Sequence, residues 1–384
     1  MTAHAILSAS GAHRWMACPG SIRLANGQPD KASVFAQEGT AAHELAERCL
    51  RDGYAADRFI GEEIHAGGSS FEVDEEMAEA VQLYLDTVRA EVMRNTGLGE
   101  LKVEHKFDLS SLYPGMFGTN DACVYHESNG RLVVFDYKHG RGHAVEAVNN
   151  PQLLYYAYGA ASTLYSDKPL REVELVIVQP RAPHTDGPVR RWALPALDLL
   201  DWSADLLVAA RATEALDAPL VSGDHCQFCK AAAICPKLRD DSIVAAQMQF
   251  GDKATELSPA QLREILDKAD MIEDWLHAVR AHALTVLESG GAVPGYKLVE
   301  KRAIRKWKGD FPETDLLRLG FSRQALYTEK PLSPAQIEKK LAKPLRDKLA
   351  ELTTKESSGY TLAAESDARP ARTAHNAHDE FTTV

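Results

Sequence analysis

Residues 131–140 read RLVVFDYKHG, an apolar run that turns polar only at its end. Such a run is a strand, and side chains two apart on a strand share a face, so Asp136 and Lys138 are presented side by side where it ends. What surrounds it sets the fold. A short helix fits 10–16, and GTAAHELAERCL, rich in good helix formers, anchors a longer one over 36–52. Another long helix fits 75–95, and strands are expected at 101–109, 118–125 and 131–137. Asn150-Pro151 opens a helix to about residue 163, with proline suited to the first turn. Strands at 173–179 and 189–194 and a helix at 197–216 follow. This order of elements predicts an α/β protein with a central mixed sheet flanked by helices.

At 384 residues the chain can bury one large core or two smaller ones. No apolar run approaches the roughly 20 residues that span a bilayer, and no charged-then-apolar signal pattern opens the chain, so a cytoplasmic protein is expected. The net charge of −12 argues at first against nucleic acid, but it is uneven. Residues 1–295 carry 26 Lys and Arg against 42 Asp and Glu, whereas 296–350 carry 14 against 7. A basic segment on an acidic body is compatible with phosphate contacts from that segment, or with an ordinary solvated surface. After the last cysteine, helices are expected over 238–250 and 258–289, a β-ribbon over 296–307, and short helices at 313–319 and 333–349. Three regions follow: 1–240, a helical, basic extension over 241–350, and a disordered tail over 351–384.

CQFCKAAAIC supplies Cys226, Cys229 and Cys235, spaced C-x₂-C-x₅-C. In a reducing compartment, three thiols so close together point to a metal and require a fourth ligand. Cys49 lies in a helix pattern and Cys123 in a strand, whereas Cys18 sits in an irregular MACPGS turn and is the best placed. The expected set is Cys18, Cys226, Cys229 and Cys235, with His225 as an alternative ligand. It closes a loop of roughly 200 residues and restricts the unfolded chain. Zinc and a [4Fe–4S] cluster both accept four thiolates. One lone ligand with a crowded trio favours iron–sulfur over the paired knuckles of structural zinc sites.

Upstream, GTNDACVY places Asp121 in a second strand pattern. Carboxylates on neighbouring strands beside a lysine are what metal-dependent phosphodiester cleavage needs. The carboxylates hold Mg²⁺ or Mn²⁺, and the lysine orients or helps deprotonate the attacking water. Glu104, in KVEHKF on the preceding strand, is either a further acidic ligand or an ordinary exposed residue. Tyr137 and His139 flank the motif on the opposite face, as packing or rim residues.

Together these pieces resemble the RecB-type branch of the PD-(D/E)XK nuclease superfamily. The likeness is to its iron–sulfur members, such as AddB-type nuclease domains and the CRISPR-associated adaptation nucleases. SASGAHRWMACPGS, GYKLVEKRAIRKW and the ESDARPA tail further resemble a group common in phage genomes. The nuclease likeness covers about residues 5–240 and implies a restriction-endonuclease-like core. It implies metal ligation by His43 of GTAAH, Asp121 of GTNDA and Asp136 of FDYKHG, with Lys138 catalytic. The pattern permits Asp or Glu at the position of Asp136. Gln152 and Tyr156 of NPQLLYYAY match the Q-x₃-Y signature; four apart on one helix face, they would fix the lysine or touch the DNA backbone. The lone N-terminal cysteine and the later trio match the cluster ligands. An imidazole among oxygen donors tilts preference toward Mn²⁺ over Mg²⁺.

The implied activity is that of a Mg²⁺- or Mn²⁺-dependent deoxyribonuclease. It would be an exonuclease of phage recombination, replication or DNA processing in a bacterial host, working with a recombinase, helicase or single-strand-binding protein. A DNA-binding accessory protein with a nuclease-like fold is the competing expectation, and a zinc-stapled interaction protein a third. The basic stretch around Trp307 would grip nucleic acid by phosphate contact and stacking, or dock a partner.

Overall fold

Five strands form the centre of the protein in a computed structural model, which describes residues 6–28, 33–94, 98–142, 144–250, 258–301, 304–309, 311–327, 334, 337, 346–356 and 360–364. Two short helices, α1 (Ala12–Ala17) and α2 (Ser21–Ala25), precede α3 (Val34–Asp52). Ser33 caps α3 by accepting the Ala36 N–H, and Gly53 ends it in the left-handed conformation that glycine tolerates. A hairpin of β1 (Glu63–Ala66) and β2 (Ser69–Glu72) leads into α4 (Glu75–Val92), capped by Asp74. The hairpin was outside the sequence expectations, yet it carries a signal: Gly67-Gly68 turns with φ of 59° and 88°, as a two-residue hairpin loop requires.

The main sheet runs β3 (Glu100–Asp108), β4 (Phe117–His126), β5 (Arg131–Tyr137), β6 (Glu172–Val178) and β7 (Val189–Pro195), in that spatial order. β5 and β6 are parallel because α5 (Pro151–Thr163) carries the chain between them; the other pairs are antiparallel. The sheet is therefore mixed. α6 (Ala196–Ala212) follows β7, and α7 (Pro236–Phe250) and α8 (Pro259–Glu288) come after the cysteine-rich loop.

Period two explains the run at 131–140. Leu132 and Val134 enter a core with α1, α5 and α6, while Val133, Phe135 and Tyr137 enter a second core with α3 and α4. A strand covered on both faces has no polar side, so it reads apolar throughout. The same alternation turns Asp136 toward α5.

Contacts divide the chain into Met1–Trp275 and Leu276–Val384. The second unit holds the end of α8, then β8 (Tyr296–Glu300), β9 (Ile304–Trp307), α9 (Glu313–Arg318), α10 (Arg323–Leu326), α11 (Arg346–Glu351), β10 (Thr353–Glu356) and β11 (Tyr360–Ala364). The ribbon expected over 296–307 takes another form: β8 pairs with β11 and β9 with β10, both antiparallel. Residues 353–356 and 360–364 are thus strands rather than disordered tail, because they supply the backbone partners of β8 and β9. The extension is accordingly mixed rather than helical; 365–384 lie outside the described residues. Trp307 is half-buried, packed edge-to-face on Phe311 with ring centroids 5.4 Å apart. Among the described residues, no helix is long and apolar enough to cross a membrane.

Candidate functional site

β4 and β5 pair as far as Ala122 and Phe135 and then part. Side chains take over the missing bonds. The Asn120 amide donates to the Phe135 carbonyl at 2.8 Å, and the Tyr137 N–H donates to Asp121 Oδ2 at 2.7 Å. On the other side of β4, the ladder passes from Val103–Ala122 to His105–Asn120, leaving Glu104 opposite Asp121. Glu104 has a φ of 45°, a left-handed conformation that costs a non-glycine residue about 1–3 kcal/mol. Carboxylates facing each other across strands also repel. α3 brings His43 to the same place, its Nδ1 3.4 Å from Asp121 Oδ1. His43, Glu104 and Asp121 each place one ligand atom within 4.8 Å of the others, the one such group among the described residues.

The charges in this group are interdependent. Burial disfavours a charged His43, but the Asp121 carboxylate outweighs it, with help from Asp136, and raises the imidazole to about 9. Burial would raise Asp121, yet His43 and the Tyr137 N–H hold it below the usual carboxylate range. Glu104 is pushed up to about 7, first by burial and then by Asp121. A cation arriving here would displace protons from both His43 and Glu104.

Asp136 stands outside that trio, although both His43 and Asp121 feel its charge. Its carboxylate is buried, which together with Asp121 outweighs the pull of Lys138 and leaves it above the usual range. Oδ1 accepts from Gln152 Nε2 at 3.1 Å. Lys138 Nζ lies 2.8 Å from Oδ2, a buried ion pair. Lys138 also donates to Gln152 Oε1 at 3.0 Å, and Gln152 Nε2 reaches the Tyr156 hydroxyl at 3.2 Å. Of the two roles weighed for Gln152, the contact to the lysine is present. Asn150 sets its position by capping α5 through the Gln152 and Leu153 N–H groups.

Tyr137 and His139 are buried on the α3/α4 side. The Tyr137 hydroxyl meets His139 Nδ1 at 2.8 Å; His139 Nε2 lies 3.3 Å from Glu38, which pairs with Arg181 at 2.7 Å. Burial, reinforced by Arg181, lowers His139 to about 4, so the ring is neutral at pH 7. Glu38 and Arg181 belong to no motif, and sequence pattern offers no route to them.

All six cysteines are free thiols. Cys18 reaches the loop before Cys226 because the Gly20 N–H donates to the Pro219 carbonyl at 2.9 Å. A Cβ on Gly20 would come within 2.5 Å of the Ala218 carbonyl, so the approach requires glycine. Cys18 Sγ accepts the Val221 N–H at 3.3 Å, and Cys235 Sγ accepts the Leu238 N–H at 3.5 Å. His225 bonds Cys18 and Cys226 and lies 2.8 Å from the Val221 carbonyl; the two sulfurs raise it to about 10. Burial opposes ionisation of Cys18, but His225 and the Val221 N–H prevail and lower its thiol. Cys229 and Cys235 are raised by burial and feel the charges of Cys226 and Cys18. Four thiolates about 2.3 Å from one tetrahedral ion would stand about 3.8 Å apart. No three of these sulfurs gather within 4.8 Å of one another among the described residues. Cys49 and Cys123 are core residues elsewhere, and burial pushes the Cys123 thiol up to about 12.

A mixed sheet whose parted strands hold a His–carboxylate trio beside a buried Asp–Lys–Gln chain defines an α/β protein with a candidate divalent-cation centre. The chain belongs to the family described as "Protein of unknown function (DUF2800)", whose family model matches residues 4–370.

Proposed function

We propose that the protein is a divalent-metal-dependent deoxyribonuclease of the PD-(D/E)XK type, acting on DNA ends in phage recombination, replication or DNA processing. The observation that carries this reading is the convergence, where β4 and β5 part, of His43, Glu104 and Asp121 with the Asp136–Lys138–Gln152 chain. The opposed, strained Glu104 supports a cation at the trio. His43, Asp121 and Glu104 would hold Mn²⁺ or Mg²⁺, the imidazole favouring Mn²⁺.

When bound, the cation supplies charge neutralisation at the scissile phosphate and a water of lowered pKa. Asp136 adds negative charge beside the trio and anchors Lys138. Gln152 fixes the ammonium from the other side, leaving Lys138 one N–H donor for the attacking water or a phosphate oxygen. The water oxygen bonds to phosphorus, the bond to the leaving oxygen breaks, and the proton released by the water is balanced by one taken up at the leaving oxygen.

Cys18, Cys226, Cys229 and Cys235 are proposed to hold a [4Fe–4S] cluster that ties the N-terminal segment to the end of the sheet domain. The lone Cys18 with the crowded Cys226–Cys229–Cys235 trio supports it over the paired knuckles of a structural zinc site. The test is incubation of anaerobically purified protein with end-labelled linear single- and double-stranded DNA and Mn²⁺ or Mg²⁺, beside Lys138→Ala. Degradation by the parent alone is expected. A folded, cluster-bearing parent that cuts under no metal would overturn the nuclease reading and favour a DNA-binding accessory protein.

A further inference from the structure

Tyr84, on α4, belongs to no motif and makes no contact that the mechanism above uses. Its side chain is 1% exposed, and its hydroxyl is among the buried polar atoms left without a hydrogen-bond partner. A buried O–H with nothing to donate to costs about 1–3 kcal/mol, so native proteins seldom keep one. Its surroundings are specific. The ring lies 5.1 Å from that of Tyr137, whose backbone N–H holds Asp121 and whose own ring is 5.3 Å from His43. The acidic groups that act on the Tyr84 phenol are Asp121, Glu104 and Asp136, in that order. An unpaired donor is therefore buried one ring away from Tyr137, which touches both His43 and Asp121 of the candidate centre.

We infer that Tyr84 is a positioning residue of this cation site, its hydroxyl donating to an oxygen ligand, a carboxylate oxygen or a water, that takes its place when the cation binds. The inference rests on the metal-binding reading of His43, Glu104 and Asp121. A phenol in this position serves the site in two ways: it orients an oxygen ligand, and it supplies a donor that does not compete for the cation at neutral pH. A hydrogen bond from outside the ligand set fixes ligand geometry, and its loss typically weakens metal binding by about 10–100-fold.

Phenylalanine separates this from a packing role, because Tyr84→Phe keeps the ring and removes only the hydroxyl. The full-length, cluster-bearing protein is stripped with chelator and titrated with Mn²⁺ alone, the free ion being followed by electron paramagnetic resonance. Parent, Tyr84→Phe and His43→Ala are compared, and thermal unfolding is measured without metal. The expected result is Mn²⁺ binding about tenfold weaker in Tyr84→Phe, with a metal-free melting temperature unchanged or raised, since a donor that bonds nothing is lost at no cost. Unchanged Mn²⁺ affinity in Tyr84→Phe, while His43→Ala abolishes binding, would overturn the role of Tyr84 and leave the metal site standing. A parent that shows no His43-dependent binding would overturn the site, and the inference with it.

Discussion

The carboxylate centre and the cysteine centre are built in opposite ways. His43, Asp121, Asp136 and Gln152 all sit on helices or strands, and their side chains are already bonded to one another or to backbone. Cys18 and Cys226 come from turns roughly 200 residues apart in the chain, joined by loop contacts such as Gly20–Pro219. Regular elements give a site that the sheet holds whether or not a metal is present. Irregular segments give one whose closure depends on what binds there. The two centres should accordingly fail differently: loss of the first should remove chemistry, and loss of the second should remove stability.

Cys226→Ser gives the largest expected effect on the folded chain. Opening a clip that closes so long a loop should cost about 3–5 kcal/mol, and about 10 °C in melting temperature for a domain of this size. Differential scanning calorimetry under anaerobic conditions measures it. A melting temperature within about 2 °C of the parent would break the contrast, showing that the loop contacts suffice without the ligand.

Asp121→Asn should do the reverse. Asparagine can still accept the Tyr137 N–H, so the parting of β4 and β5 is kept, but His43 loses the charge that holds its proton. Mn²⁺ affinity should fall by more than about a hundredfold, beyond the loss expected for a hydrogen-bond partner of a ligand, while the metal-free fold loses only the His43–Asp121 ion pair. A large loss of stability with retained affinity would show that Asp121 is a structural residue whose place in the trio is incidental.

The same contrast explains what the sequence reveals. Strand periodicity and the Asn-Pro helix start place Asp121, Asp136, Gln152 and Tyr156 on their elements and Lys138 just past the end of β5, because each motif lies in or directly after a regular repeat. The bond from Gln152 to Lys138 needs the tertiary fold, as does the opposition of Glu104 and Asp121, which depends on a ladder interruption invisible in KVEHKF. Glu38, Arg181 and Tyr84 reach the site through tertiary packing, which no local pattern records. In the second unit, alternation locates β8 and β9 but not their partners, since pairing is non-local and 360–364 reads YTLAA, a weak pattern by itself.

A titration sharpens the first half of the contrast. The folded pKa values of His43 (about 9) and Glu104 (about 7) both lie above their ordinary ones, so at these two groups the metal-free fold binds more protons than the unfolded chain does. The contribution of His43 is full below its ordinary 6.5 and is lost as pH rises through about 9; that of Glu104 is full below 4.5 and lost through about 7. The contribution of this pair to metal-free stability, read as the difference between the parent and a His43→Ala/Glu104→Gln variant, should therefore decline from pH 5 to 9. Metal binding, which needs both groups deprotonated, should strengthen over the same range. Calorimetric titration with Mn²⁺ at pH 6.5, in buffers of different ionisation heat, should detect between one and two protons released. Release of none would remove His43 and Glu104 from the ligand set.

The smallest expected effect divides the carboxylate centre itself. Gln152 bonds Lys138, Asp136 and Tyr156 but none of His43, Glu104 and Asp121. If the lysine chain and the cation trio are separate devices, Gln152→Leu should slow DNA cleavage about tenfold through a misplaced ammonium, roughly 1.4 kcal/mol, and leave Mn²⁺ affinity unchanged. Single-turnover cleavage and a Mn²⁺ titration on the same preparation read the two quantities. Affinity that falls in step with rate would mean that Asp136, released from Gln152, moves into the trio's space. The two halves would then act as one network, and Asp136 would have to be counted with the ligands.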